Sequence, residues 1–277
     1  MDQPIRPVDL SAYLASPSVP ELELLRLYRP AEPLTVFDIG SCEGEDTIRY
    51  ARRFPNGFVY AFEPLPENRR LIAENFSKYS LKNAELVPCA LSDRSGEAVF
   101  HASSGRPKDE FAGSDWNYGN KSSSLLPPSG DGPMYGWIEF KQTITVPTDT
   151  LDDFCTRRRI ERIDFVHMDV QGAEMLVLKG AEGMLPRIAA IWLEVSTRAL
   201  YQSQALRDEI GRSMRGRGFS LAHEVLNGIE GDQLYVNRRL ARTWPYLASK
   251  RVESLANRAR RWAGRWRSRM SGKPQYR

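Results

Sequence analysis

The chain has 277 residues, 41% of them hydrophobic and 27% charged, with a formal net charge of +4. That balance describes a globular chain long enough to bury a sizeable core, and without a run of about 18 apolar residues no membrane-spanning helix is expected. Cys42, Cys89 and Cys155 form no Cys-x-x-Cys pair and His101, His167 and His223 no His-x-x-x-His pair, which argues against a disulfide framework or a thiolate zinc site and for a reduced compartment.

Residues 1–30 read as an N-terminal extension with one short helix near Glu21–Tyr28, closed by Pro30. They lack the basic start and apolar stretch of a signal peptide, so a cytoplasmic protein is expected. A regular alternation then begins. Leu34–Ile39 is a short apolar, β-branched run that predicts a buried strand. The turn Gly40-Ser-Cys-Glu-Gly44 leads into a helix ending near Pro55. Phe58–Phe62 predicts a strand, Pro66–Tyr79 a helix, Ala84–Pro88 a third strand and Glu97–His101 an accessory one.

Residues 102–140 break the rhythm, being rich in Gly, Ser, Pro and Asp with Phe111, Trp116, Tyr118, Tyr135 and Trp137 interspersed. A stretch this long without regular structure is expected to be a lid, a substrate loop or a polar insertion. Helices are then predicted over Thr150–Arg157, Glu174–Met184 and Gln202–Arg217, and strands over Ile163–Val170, Ala189–Val195, Phe219–Val225 and Gln233–Val236. Alternating strands and helices predict an α/β fold, a mostly parallel sheet with helices on both faces. The last connection is too short for a crossover helix, so the sheet should end in an antiparallel hairpin.

The first strand–turn–helix reads Asp38-Ile-Gly-Ser-Cys-Glu-Gly44-Glu-Asp-Thr47. Glycines at the end of a first strand let a ligand approach the backbone closely. The spacing is G-x-x-x-G rather than the dinucleotide G-x-G-x-x-G, and Asp38, Glu43, Glu45 and Asp46 crowd the place of a pyrophosphate. That setting repels an anion and suits a cation, such as the sulfonium and ammonium of S-adenosylmethionine. Glu63 ends the second strand, 25 positions after Asp38, where a carboxylate can accept from both ribose hydroxyls of an adenosine. Ala90-Leu-Ser-Asp93 follows the third strand and places polar side chains where an adenine would lie. The candidate cofactor residues are Asp38, Gly40, Ser41, Gly44, Glu63, Pro64, Ser92 and Asp169.

Asp38-Ile-Gly-Ser-Cys-Glu-Gly44, Phe62-Glu-Pro64, Ala90-Leu-Ser-Asp93, Thr148-Asp-Thr-Leu-Asp-Asp-Phe154, Met168-Asp-Val-Gln-Gly-Ala-Glu174 and Leu178-Lys-Gly-Ala181 together resemble the FkbM-type methyltransferases over residues 34–237. The resemblance implies a class I, Rossmann-like methyltransferase fold and methylation of hydroxyls, commonly on sugars or polyketides. Lys121-Ser-Ser-Ser-Leu-Leu126 is similar to a serine-rich stretch of that family, and its hydroxyls and nearby aromatics suit a sugar. The chain departs from the pattern at Cys42, where the family often has Asn, at Gln171, usually Glu, and at His167, frequently Lys.

Methyl transfer to an alcohol needs the nucleophile positioned and its proton removed. Asp169 ends the fourth main strand and should face the sulfonium; His167, two residues earlier, and Glu194, ending the fifth, are the candidate proton acceptors. His167 can equally be a hydrogen-bonded core histidine, and Glu174 a carboxylate favouring a helix N-terminus. Asp169 and Glu194 could together hold a divalent metal, though no third ligand is apparent.

Residues 31–240 thus form the expected methyltransferase domain, and residues 241–277 a basic tail. From Lys250 onward the tail carries ten basic side chains against Glu253 alone, while Val252, Leu255, Trp262 and Trp266 recur at helical spacing. A basic amphipathic helix suits peripheral contact with an anionic membrane face. The acidic body counts against nucleic acid as a partner. The expected activity is S-adenosylmethionine-dependent O-methylation of a sugar, glycan or glycolipid hydroxyl. An RNA methyltransferase is the second reading, and a non-catalytic binding protein on the same fold, suggested by Gln171 and Cys42, the third.

Overall fold

Strand β1 (Thr35–Ile39) is buried along nearly its whole length, as a central parallel strand must be. The computed structural model describes residues 10–105, 119–130 and 136–256. Around β1 stand β2 (Phe58–Phe62), β3 (Ala84–Val87), β7 (Ile163–Met168), β8 (Ile188–Ser196), β9 (Phe219–Asn227) and β10 (Glu230–Asn237) in the order β3-β2-β1-β7-β8-β10-β9. The first five are parallel; β10 runs antiparallel to both β8 and β9. The chain steps outward from β1 to β3 and then returns to β1's other side as β7. Ligands bind where strand order reverses in this way, beyond the carboxyl ends of the strands.

The sheet is covered on both faces. Phe37, Val166, Ile191 and Tyr235 pack with α5 (Leu151–Arg158), α6 (Glu174–Lys179) and α7 (Arg207–Gly216). Val36, Phe165, Trp192 and Leu234 pack with α2 (Val19–Leu27), α3 (Glu45–Arg53) and Tyr246. Two further helices are α1 (Leu10–Ala15) and α4 (Pro66–Lys78).

A second, three-stranded sheet differs from the sequence expectation. It orders β4 (Ala90–Leu91), β6 (Glu139–Asp149) and β5 (Gly96–Ser104). Residues 102–140 are therefore not loop at either end: β5 runs on to Ser104 and β6 begins at Glu139. Pro147 obscures β6 in the sequence, because proline removes a ladder donor. It is tolerated here because β4 pairs only with Thr148 and Asp149, leaving Pro147 a neighbour on one side alone. Two predicted helices are also shorter. The helix expected to reach Met184 stops at Lys179, where Gly180 packs so closely on the Ser92 carbonyl that a Cβ would lie 2.0 Å away. The helix expected from Gln202 begins at Arg207, because Ser203 is left-handed (φ +60°) and the Gln204 side chain accepts from the N–H groups of Leu200 and Tyr201.

The N-terminal extension holds two helices, not one, and is tied to α3. Buried Arg49 donates to the carbonyls of Ser16 (2.6 Å) and Tyr13 (2.7 Å) and to Glu21 (3.2 Å). Residues 244–256 are helical and dock on α2, where Tyr246 and Lys250 both donate to Glu23. Phe111, Trp116, Tyr118, Tyr135 and residues 257–277, with most of the basic tail, lie outside the described residues.

Candidate active site

The site grows from the carboxyl end of β1. Gly40 has φ +85°, and a Cβ there would lie 1.8 Å from the backbone oxygen of Asp169, so the ends of β1 and β7 meet only because residue 40 has no side chain. Cys42 follows in a left-handed conformation (φ +51°) and donates its backbone N–H to Glu63 (3.0 Å). Gly44, at φ +79°, caps α3; it supports the turn and lines neither cavity described below.

One cavity lies beyond β1, β2 and β4. Ile39, Phe62, Pro64, Ala90, Leu91, Phe100 and Leu125 make it apolar, and Glu63, Asn68 and Asn120 add polar side chains. Glu63 accepts from the N–H groups of Cys42 and Leu65 (2.8 Å), and burial nevertheless pushes its carboxyl up to about 7. Asn120 donates to Asn68 (2.9 Å), and its side-chain oxygen is buried without a hydrogen-bond donor. Ser92, expected beside the adenine, lines neither cavity; its N–H donates to the Asp149 carbonyl (2.8 Å).

The second cavity is polar. Asp38, Ser41, Asp46, His167, Asp169, Glu194 and Glu230 line it, with Tyr13, Phe140 and Tyr201. Gly40, Cys42, Lys121, Asp169 and Gln171 form the wall common to both cavities. Asp38 and His167 are register partners on β1 and β7 and so project to one face of the sheet.

Burial sets the charges here. It pushes Asp38 up to about 6 although Thr47 donates to it (2.5 Å). His167 has its Nδ1 3.1 Å from the Tyr50 hydroxyl and 3.7 Å from Asp46. Burial alone would lower its pKa, but Asp46 and Asp38 outweigh that and hold it above its ordinary value. Asp169, exposed on the cavity wall, and the half-buried Glu194 face each other across Gln171; desolvation raises both carboxyls, and the Asp169 charge raises Glu194 further. The Gln171 amide nitrogen donates to both, at 2.7 and 3.0 Å. Lys121 pairs with Glu45 at 2.7 Å, leaving carboxylates in excess around this cavity.

An apolar slot with a strand-end carboxylate, opening onto a carboxylate-lined chamber, fits the parts of S-adenosylmethionine. Adenine suits the Leu91 and Phe100 side, ribose hydroxyls suit Glu63, and the cationic end suits Asp38 and Asp169. Among the described residues no group of three or more His, Cys, Asp or Glu side chains is arranged to hold a metal ion.

The structure thus brings together Asp38, Gly40, Ser41, His167, Asp169 and Glu194, joins Glu63 and Pro64 to them through the shared wall, and leaves Ser92 and Gly44 behind it. Ser123 and Ser124 are engaged internally, with Ser103 and with the Gln171 carbonyl (2.8 Å). Phe140, rather than Trp137, brings the loop's aromatic surface to the chamber. Sequence reasoning missed Tyr13, Tyr201 and Glu230. Tyr13 reaches the chamber only because Arg49 anchors α1, a contact 36 residues apart that no local pattern announces. Tyr201 and Glu230 flank elements whose limits the sequence pattern does not mark.

The chain is similar to known proteins over most of its length. The family model described as the methyltransferase FkbM domain matches residues 38–221. The 2-O-methyltransferase NoeI of Sinorhizobium fredii is 32% identical over 222 residues, covering 79% of this chain and 85% of that protein. The AMB antimetabolite synthetase AmbE of Pseudomonas aeruginosa is 26% identical over 216 residues, 72% of this chain but 10% of that much longer protein. Among solved structures, an rRNA methylase from Streptococcus thermophilus superposes over 85% of this chain and 99% of its own, with a TM-score of 0.44 and 14% identity.

Proposed function

The chain belongs to the FkbM methyltransferase family and is an S-adenosylmethionine-dependent methyltransferase; on that premise we propose that it methylates a hydroxyl of a sugar, glycan or glycolipid, with Asp169 taking the hydroxyl's proton. The observation that carries this reading is the position of Asp169, on the wall common to the apolar and the polar cavity. A group there reaches both the cofactor's reacting end and an acceptor in the chamber. The O-methyltransferase name of the relative NoeI supports a hydroxyl acceptor.

S-adenosylmethionine supplies an electrophilic methyl group on a sulfonium, so the protein's own work is orientation and proton removal. Glu63 and Pro64 would hold the ribose, Asp38, Gly40 and Ser41 the amino-acid end. His167 is a weaker candidate for proton acceptor than Asp169, because Asp46 and Asp38 favour its protonated form. It serves better as a neighbour that favours the ionised form of Asp169. Glu194, crowded by Asp169, Glu174, Glu230 and Asp232, is the member of the pair that keeps a proton, while His167 and Lys121 favour the charge on Asp169. Phe140 and Tyr201 offer the surface on which a sugar face packs, and the surrounding carboxylates accept from its hydroxyls.

A glycolipid acceptor gives the basic C-terminal stretch a purpose. Residues 257–277 carry eight basic side chains and no acidic one, directly after a helix docked on α2. They would hold the enzyme at an anionic membrane face. The test is methyl transfer to separate glycan, glycolipid and RNA pools. Product in the RNA pool alone would replace the sugar reading with the RNA one.

A further inference from the structure

We infer that Gln171 is a positioning residue whose side-chain amide fixes which of the two facing carboxylates, Asp169 or Glu194, is ionised. The inference deepens the proposed function, resting on Asp169 as the proton acceptor, but the arrangement itself is read from Gln171's own contacts.

The amide nitrogen of Gln171 donates to Asp169 Oδ1 at 2.7 Å and to Glu194 Oε2 at 3.0 Å. Both of its protons are therefore spent on the pair. Its amide oxygen lies 3.0 Å from the Tyr201 hydroxyl, which is also 2.7 Å from the Ser122 carbonyl. The reverse orientation would turn the amide oxygen toward two carboxyl groups and forfeit both of these bonds, so the pair fixes the amide's direction. The single Tyr201 proton is shared between the Gln171 oxygen and the Ser122 carbonyl. The backbone is fixed as well. Gln171 is left-handed (φ +54°), its carbonyl accepts from Ser124 Oγ (2.8 Å), and the neighbouring Gly172 N–H donates to Glu174 (3.2 Å). Glutamine at this position is held at its root and at its tip.

The pair it bridges is not symmetric. Asp169 has two cations near it, His167 of β7 and Lys121. Glu194 is surrounded by like charges: Asp169, Glu174 of α6, and Glu230 and Asp232 of β10. The shorter of Gln171's two bonds goes to Asp169. A neutral double donor between them stabilises one negative charge on the Asp169 side and leaves the proton on Glu194. A carboxylate at 171 would instead add a third negative charge to the pair.

The test is a titration of the full-length protein carrying ¹³C in its Asp and Glu carboxyls, with resonances assigned through Asp169→Asn and Glu194→Gln. In the native protein the pair should titrate in two separated steps, the lower on Asp169. Gln171→Met, which keeps the shape and removes the donor, should raise the lower step by about one to two pH units. Gln171→Glu should raise it at least as far, and Tyr201→Phe less, in the same direction. Asp38 and Glu63 should keep their own titrations in all three variants. The inference is overturned if the lower step stays within about 0.3 pH units in both Gln171 variants, or if Asp38 and Glu63 move with it, since that would mark a general loosening. Failure of the proton-acceptor reading looks different: Asp169→Asn would keep full methyl transfer, and the titration would be unaffected.

Discussion

Gly40 and Asp169 meet backbone to backbone across the ends of β1 and β7, so closely that a Cβ on Gly40 would lie 1.8 Å from the Asp169 carbonyl oxygen. The glycine turn and the acid of the site are one structural unit. Gly40→Ala must both push the paired strands apart and hold alanine at φ +85°. It should cost about 3 kcal/mol or more, read as a lower urea midpoint and a loss of S-adenosylhomocysteine binding.

Removal of the Asp169 charge separates chemistry from binding. Asp169→Asn keeps the size and the backbone contact, so S-adenosylhomocysteine affinity measured by calorimetry should stay within a few-fold. Methyl transfer should fall about 100- to 10,000-fold, the usual worth of a positioned base. Equal loss of both would make Asp169 a binding residue only.

Glu63 is the corresponding test of the cofactor cavity. Its two oxygens already accept from the N–H groups of Cys42 and Leu65, which hold it in place for the ribose. Glu63→Ala should weaken S-adenosylhomocysteine binding about 10- to 100-fold, the range for a hydrogen bond to a charged group. Unchanged affinity would place the ribose elsewhere.

Much of this was legible in the sequence, and what was not has a physical cause. The central strands announce themselves because a parallel sheet buried on both faces demands continuous apolar runs such as Thr35–Ile39. Asp38, Glu63 and Asp169 announce themselves because strand ends in this alternation converge on one edge. Tyr13 does not: it reaches Asp46 through a 3.0 Å hydrogen bond between an N-terminal helix and α3, 33 residues apart. Ser92 escapes sequence reasoning for a similar reason. The two-residue strand β4 turns Ala90 and Leu91, not the serine, toward the cavity.

Buried Glu174 makes stability depend on pH. Burial raises its carboxyl to about 7, above the roughly 4.3 of an unfolded glutamate. The folded chain thus binds more protons than the unfolded one across that window, and stability falls as pH rises through it. The bonds it accepts from Val170 and Gly172 fall on one oxygen, so Glu174→Gln preserves them and removes the charge. The variant should match the native protein near pH 5 and be more stable near pH 8, by up to about 3 kcal/mol. Equal melting temperatures at both pH values would refute a buried charge at this position.

The N-terminal extension should be integral to the folded unit. Deleting residues 1–30 removes Glu21, Ser16 and Tyr13 from Arg49, leaving it Asp46 alone, and takes buried Leu24 and Tyr28 out of the core. The expected loss is about 3 kcal/mol or more, from the lost apolar packing, seen in thermal unfolding. An undiminished melting temperature would show the extension to be dispensable.

The central claim is a methyl transfer to a sugar hydroxyl with Asp169 as the proton acceptor. The most direct measurement supplies deuterated-methyl S-adenosylmethionine to the native protein and to Asp169→Asn, each with glycan, glycolipid and RNA pools, and locates the label by mass spectrometry. The account predicts a methyl ether on a sugar oxygen in a glycan or glycolipid, made by the native protein and lost in the variant. Label confined to RNA, or undiminished in Asp169→Asn, would contradict it.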